Sequence, residues 1–312
     1  MAPETPPARE GAAQPPGWAD FMTTAGFAYF VHAVARDMSG RGFVAGINTD
    51  AGVMHIDGRP AVFGLTTLAQ VCHGAPLDEW DGIIREHFDD LPVDDPHFGA
   101  QPGFGDIREH LRTRLLPAGI AGHDASVMRP VADGIVEVLV IDEPHRVRSV
   151  ARDVARAWGL TEIELLDAGR TLVHDCESVD VDVEMIDAST TVTLLHGATH
   201  FVATHALWPL EHCPHDAPNG VILAVPNRHV VFIHEVRDIS VVSAINALGR
   251  SIPAMFRAGP GSISPLVYWW FEGTFTTIPM RVGDDRVLSV SPPSALTHRL
   301  NGLPERAEDA LE

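Results

Sequence analysis

Two apolar runs joined by a short polar turn constrain the fold of this chain more than any other feature. Residues 221–225 and 230–234 are rich in β-branched side chains, which favour strands. Pro226 and Asn227, between the two runs, are typical turn formers. Because the runs are apolar on both faces, the sequence predicts a central β-hairpin over residues 221–234, inside a sheet that is covered on each side.

The other patterns predict strands and helices without the strict βαβ alternation of a doubly wound fold. Thr161 and Glu164 form a capping box, which predicts a helix over residues 161–174. Residues 179–184 alternate valine with acid, as in a half-buried edge strand. Residues 107–116 are predicted to be a helix, and residues 134–141 a strand in the same sheet as the hairpin. The fold class is therefore predicted to be α+β, with mixed or antiparallel sheets and packed helices.

Composition predicts how the chain is organised. Prolines and alanines indicate a disordered leader, and the charged C-terminus indicates a flexible tail. The four predicted segments are a leader over residues 1–17, an N-terminal α+β region over 18–120, a C-terminal α+β region over 121–300 that holds the hairpin, and a tail over 301–312.

The charge of the chain argues against two classes of partner. There are 42 acidic and 22 basic residues, which give a formal net charge of -20. Such a chain repels phosphate backbones and anionic lipid surfaces, so neither nucleic acid nor membrane is an expected partner. Every one of the basic residues is arginine. The absence of lysine excludes Schiff-base chemistry and the phosphate-binding lysine of a Walker loop.

The three cysteines and the apolar runs indicate where the protein is expected to work. Cys72, Cys176 and Cys213 are odd in number and widely spaced, so no disulfide framework is predicted. The N-terminus lacks the basic and apolar regions of a signal peptide. No run approaches the roughly 18 to 20 apolar residues of a membrane span. A cytoplasmic location is therefore predicted.

The polar turn of the hairpin is the first candidate binding site. Polar side chains that a rigid scaffold holds at a turn often carry function, so Asn227, Arg228 and His229 are predicted binding residues. A structural alternative stays open. In it, Asn227 supplies the turn backbone and Arg228 pairs with one of the many acids.

A histidine-rich segment over residues 196–215 is the second candidate. On a helix, His200 and His205 would lie about 140° apart, and Pro214 interrupts any helical spacing. A loop could still hold a metal, which needs three or four converging side chains. The alternative metal ligands are His200, His212, Cys213 and His215.

Two motifs together resemble a known group of proteins. Trp158-Gly159-Leu160-Thr161-Glu162 begins one predicted helix, and Ala224-Val225-Pro226 begins the turn of the hairpin, which a further helix follows from Asp238. This order of features resembles the YtpQ-like bacterial proteins of unknown function, over roughly residues 40 to 290. The resemblance implies a bacterial protein and brings no established activity, catalytic residue or cofactor.

The sequence contains none of the common catalytic motifs. It has no GxSxG elbow and no dinucleotide-binding glycine fingerprint, so no catalytic residue or cofactor is predicted, and whether the protein is an enzyme stays open. The first hypothesis is a cytoplasmic, non-catalytic protein that binds another protein or a small ligand. One alternative is a metal-dependent enzyme that uses residues 196–215. The other is an acidic immunity or inhibitor-type protein that masks a basic partner.

Overall fold

The computed structural model confirms the α+β class, with antiparallel sheets and packed helices. It describes residues 14–58, 62–89, 103–119, 125–143, 146–188, 190–283 and 287–305. The predicted leader and tail lie outside the described residues, apart from residues 14–17 and 301–305. The chain forms two compact units, divided between residues 102 and 103, whereas the sequence placed a boundary after residue 120.

The first unit is a three-stranded sheet packed with helices. Its elements are α1 (Thr24–Gly40), β1 (Ala45–Asn48), β2 (Val53–Ile56), β3 (Val62–Gly64), α2 (Thr66–His73) and α3 (Trp80–Asp89). The strands pair antiparallel in the order β1-β2-β3. Phe30 and Met38 from α1, Met54 from β2, and Ile84 and Phe88 from α3 are buried in one apolar core.

The described residues of the second unit form three sheets. Its first elements are α4 (Phe104–Ile107), β4 (Leu111–Pro117), β5 (Met128–Ala132), β6 (Ile135–Glu143), β7 (Arg146–Ser149), α5 (Arg152–Ala157), α6 (Glu162–Cys176), β8 (Asp180–Asp187) and β9 (Thr190–His196). Two 3-10 turns follow, Val202–Leu207 and Pro209–His212. The last elements are β10 (Val221–Asn227), β11 (Val230–Glu235), α7 (Ser240–Ala258), β12 (Val267–Phe271), β13 (Thr274–Thr277), β14 (Met280–Val282), β15 (Leu288–Val290) and α8 (Ser294–Leu300). Among the described helices, none is long and apolar enough to cross a membrane.

The predicted hairpin lies at the centre of the largest sheet, which confirms that prediction. The strand order is β13-β12-β10-β11-β9-β8, so β10 and β11 are the two inner strands. Val221, Leu223 and Val225 pack into the apolar core on one face of the sheet. Ile222 and Ala224 pack on the other face, against apolar residues of α7. Apolar side chains on both faces of β10 therefore explain its central position.

Two predictions about the four-stranded sheet of the second unit were wrong. Residues 107–116 were predicted to be a helix, but β4 is a strand that pairs with β6 from Leu111 to Pro117. The buried side chains of β4 alternate at Leu111, Thr113 and Leu115, which is strand periodicity. The strand predicted over 134–141 forms as β6, but it lies in the four-stranded sheet with β4, β5 and β7 and not in the hairpin's sheet.

The edge strand predicted from the valine and acid alternation is present as β8. It is more exposed than expected, because side chains on both of its faces reach solvent. Val181, Val183 and Met185 are 48%, 60% and 71% exposed.

The predicted capping box forms at the start of α6. Thr161 Oγ1 accepts a hydrogen bond from Glu164 N at 3.2 Å, and Glu164 Oε2 accepts one from Thr161 N at 2.9 Å. Thr161→Ala is expected to lower the free energy of unfolding by about 1 kcal/mol, because it leaves a helix N–H without its partner. Urea unfolding followed by circular dichroism measures this change.

The control for this prediction is Thr171→Ala, an exposed position inside the same helix whose hydroxyl bonds Asp167 O. There alanine is the better helix former, so stability should stay within a few tenths of a kcal/mol or rise. Equal losses at positions 161 and 171 would contradict the capping explanation.

Candidate functional site

The turn of the hairpin is held between two loops of the second unit. Arg228 N donates to Gly261 O at 3.0 Å, and Arg228 O accepts from Ala203 N at 3.2 Å. Asn227 is 7% exposed, and its Oδ1 accepts a hydrogen bond from His229 N at 3.0 Å. Asn227 therefore stabilises the turn itself, as the structural alternative predicted for it.

Arg228 and His229 fix each other's orientation. Arg228 Nε lies 2.8 Å from His229 Nε2, and His229 Nδ1 lies 3.0 Å from Gly197 O. A guanidinium only donates and a carbonyl only accepts, so the proton of the neutral His229 ring is on Nδ1 and Nε2 is the acceptor. With its Nε engaged in this way, Arg228 makes no hydrogen bond to the described residues through its two terminal nitrogens, which can bind other partners.

Arg114 reaches the same region from β4. It lies on the strand face opposite Leu115, two residues from Leu116, which packs against Phe201 in one apolar cluster. This packing brings β4 next to the loop that carries His200. Burial, together with the nearby Arg228 cation, lowers the pKa of Arg114 to about 10. Both guanidinium groups therefore stay charged at pH 7 and repel each other.

His200 is the fourth basic side chain in this region. Burial, followed by the charges of Arg228, Arg114 and His229, lowers the pKa of His200 to about 4. Its Nδ1 and the Nε of Arg114 are buried, and neither has a hydrogen-bond partner among the described residues. The pKa of His229 is lowered as well, first by burial and then by Arg228. At neutral pH the site thus contains two guanidinium cations and two uncharged imidazoles.

These four residues, Arg114, His200, Arg228 and His229, are named the basic cluster below. Within the described part of the chain, no carboxylate pairs with Arg114 or Arg228. Other partly buried arginines of this unit do have carboxylate partners: Arg112 pairs with Glu177, Arg129 with Glu137, and Arg148 with Glu143. Among the described residues, the acid that the structural alternative assigns to Arg228 is therefore not found. A pair of partly buried cations that no described acid offsets, in so acidic a chain, is suited to binding an anion.

The structure separates the alternative metal ligands. His200 belongs to the basic cluster, whereas His212 Nε2 lies 3.2 Å from His205 Nδ1. Cys213 Sγ donates to Pro209 O at 3.3 Å, and burial raises the pKa of its thiol to about 12. His215 Nδ1 lies 3.6 Å from Glu235 Oε1. Among the residues with described positions, no three histidine, cysteine or acidic side chains converge in a way that could hold a metal ion.

Two members of the basic cluster were missing from the predicted binding residues. Arg114 was missed because its segment was read as a helix, and His200 because it was grouped with the other histidines. The alternation of Leu111-Arg112-Thr113-Arg114-Leu115 is the signal that would have placed Arg114 on a strand.

Comparison with known proteins adds no further information on this site. The chain matches no protein-family model, no curated protein and no solved structure. The resemblance to the YtpQ-like proteins stays a prediction from the sequence motifs.

Proposed function

We propose that this protein is a non-catalytic binding protein whose ligand is a small anion held by the basic cluster. The observation that carries the proposal is a pair of partly buried arginines, Arg114 and Arg228, on neighbouring elements and without a carboxylate partner in the described residues. The cytoplasm of a bacterium is the proposed setting. The acidic immunity or inhibitor-type function stays a prediction from composition.

Energetics supports an anionic ligand. A buried cation without a partner costs several kcal/mol, and an anion would compensate two of them at once. The donors placed to bind it are Arg114 Nε and the terminal nitrogens of Arg228, which His229 holds in position. Because the chain as a whole carries a charge of -20, long-range forces repel an anion. Affinity must therefore come from short, charge-assisted hydrogen bonds inside the site.

Titration calorimetry with sodium sulfate tests this proposal. Wild-type protein is expected to bind sulfate saturably, and Arg114→Gln and Arg228→Gln are each expected to weaken the affinity at least about tenfold, since each loses charge-assisted hydrogen bonds. The matched control is Arg281→Gln, which removes an exposed arginine of β14 and the same formal charge. Its affinity for sulfate should stay unchanged.

A second measurement separates a binding site from a structural one. Without sulfate, Arg114→Gln should unfold at the same or a higher temperature than wild type, because it removes an uncompensated buried charge. Sulfate should raise the unfolding temperature of wild type by more than that of Arg114→Gln, because general salting-out acts equally on both and only the binding contribution differs. If wild type and Arg114→Gln respond equally to sulfate, or if neither sulfate, phenyl phosphate nor acetate binds wild type, the proposal is wrong.

A further inference from the structure

The basic cluster also indicates how much charge its ligand carries. Arg114 and Arg228 contribute two positive charges, and no acid among the described residues offsets either one. A monoanion such as acetate would leave one buried cation uncompensated, whereas a dianion compensates both. Compensation of both charges by one ligand also favours a compact ligand, since the donors come from one strand and one turn that packing holds close together.

His200 is placed to respond to such a ligand. Hydrogen bonds on both sides of His200 hold its loop to the turn, from His229 Nδ1 to Gly197 O at 3.0 Å and from Ala203 N to Arg228 O at 3.2 Å, and Thr204 Oγ1 donates to Thr113 O of β4 at 3.0 Å. The groups whose charges act on its ring are therefore Arg228 and His229 from the turn and Arg114 from β4. In the free protein burial, followed by these charges, lowers the pKa of His200 to about 4 and keeps the ring neutral at pH 7. A bound dianion cancels the two guanidinium charges and offers a protonated ring a charge-assisted hydrogen bond, and both effects act against burial and raise the pKa of His200.

The hydrogen bonding of the two imidazoles differs, and the difference favours protonation of His200 over protonation of His229. Both ring nitrogens of His229 are engaged, one by Gly197 O and the other by Arg228 Nε, so a proton on His229 Nε2 would break the bond that orients Arg228. His200 Nδ1 has no partner among the described residues. A neutral His200 leaves one ring nitrogen as an acceptor, and a ligand such as sulfate has no hydrogen to offer it.

We propose that the ligand of the basic cluster is a compact dianion, such as sulfate or the phosphate group of a monoester, and that His200 takes up one proton from solvent when it binds. This inference rests on the proposed function, because it assigns the ligand class and the pH response of the same site. With its proton, His200 donates to the bound dianion, and the site then holds three positive groups around two negative charges.

The expected signature is sulfate affinity that rises as the pH falls. His200 is neutral in the free protein down to a pKa of about 4 and has a higher pKa in the complex. Between these two pKa values the affinity should rise by up to about tenfold for each pH unit lowered, and it should level off below the lower one. Sulfate keeps both charges between about pH 5 and about pH 8.5, and the arginines stay charged there. Titration of the ligand or of the arginines therefore does not produce the pH dependence of the affinity.

Calorimetry across that pH range, in buffers of different ionisation enthalpy, measures the affinity and the protons taken up. Wild type should take up close to one proton per sulfate in the lower part of the range. His200→Asn should bind sulfate with little pH dependence and little proton uptake, and the control His298→Asn, at an exposed position on α8, should behave as wild type. Phenyl phosphate should compete with sulfate, and acetate should bind at least about tenfold more weakly.

The outcomes separate this inference from the proposed function. Sulfate binding without proton uptake, a pH slope that persists in His200→Asn, or acetate binding as tightly as sulfate would each overturn the inference and leave an anion-binding protein. Failure of sulfate, phenyl phosphate and acetate to bind at any pH would overturn the proposed function, and the inference with it.

Discussion

Gly261→Ala is expected to weaken sulfate binding about tenfold or more and to lower the free energy of unfolding by about 1–2 kcal/mol. Gly261 has φ +72°, a conformation that costs alanine this much energy. An added Cβ would also lie 2.7 Å from Arg228 Cδ and 2.9 Å from Arg228 Cγ. The arginine must move to relieve this overlap, and its movement would break the alignment of Arg228 Nε with His229 Nε2.

Gly273→Ala is the control that separates backbone strain from displacement of Arg228. Gly273 lies in the turn between β12 and β13 with φ +80°, and a Cβ there would meet nothing within 4 Å. Both variants should lose similar stability in urea unfolding, whereas calorimetry should show weakened sulfate binding for position 261 alone. Equal sulfate affinities in the two variants would show that the packing of Arg228 against Gly261 does not contribute to sulfate binding.

The elements that the sequence predicted correctly are those with local causes. The hairpin over 221–234 follows from two apolar runs and a turn between them, and the start of α6 follows from a capping box within four residues. The edge strand β8 follows from its alternation of valine and acid. Each of these signals is contained in a short segment, so no knowledge of distant partners was needed.

The predictions that failed depend on contacts between distant segments. The residues of β4 were predicted to be helical, and Leu111, Leu115 and Leu116 also fit helical spacing. Pairing with β6, a distant segment, makes this stretch a strand. The sheet to which β6 belongs is set by the same pairing. For the same reason the sequence indicated Arg228 and His229 as binding residues but could not show that β4 and a separate loop bring Arg114 and His200 beside them.

The buried charges of the second unit follow two opposite arrangements. Glu137 on β6 is completely buried and accepts hydrogen bonds from Arg129 Nε at 2.6 Å and Arg170 Nε at 2.9 Å. It therefore ties α6 and β5 to β6, and Asp167, which accepts from Arg129 at 2.9 Å, supplies the second negative charge for the two arginines. In the basic cluster, by contrast, none of the carboxylates whose positions are described offsets the two arginines. If charge compensation distinguishes a structural arginine from a ligand-binding one, the two arrangements should respond oppositely to mutation. Removing the charge of Glu137 should lower the stability of the fold, whereas removing the charge of Arg114 should leave it unchanged or raise it.

Glu137→Gln is accordingly expected to lower the free energy of unfolding by about 3 kcal/mol or more, because it leaves two arginines facing a neutral amide in a site built for a carboxylate. The matched control is Asp167→Asn, which changes an exposed acid that accepts from the same Arg129 at 2.9 Å. That change should cost no more than about 1 kcal/mol. Urea unfolding measures both, and sulfate affinity in folded Glu137→Gln should equal that of wild type. A loss for Glu137→Gln as small as that for Asp167→Asn would show that compensation of buried charge does not hold α6 and β5 in place.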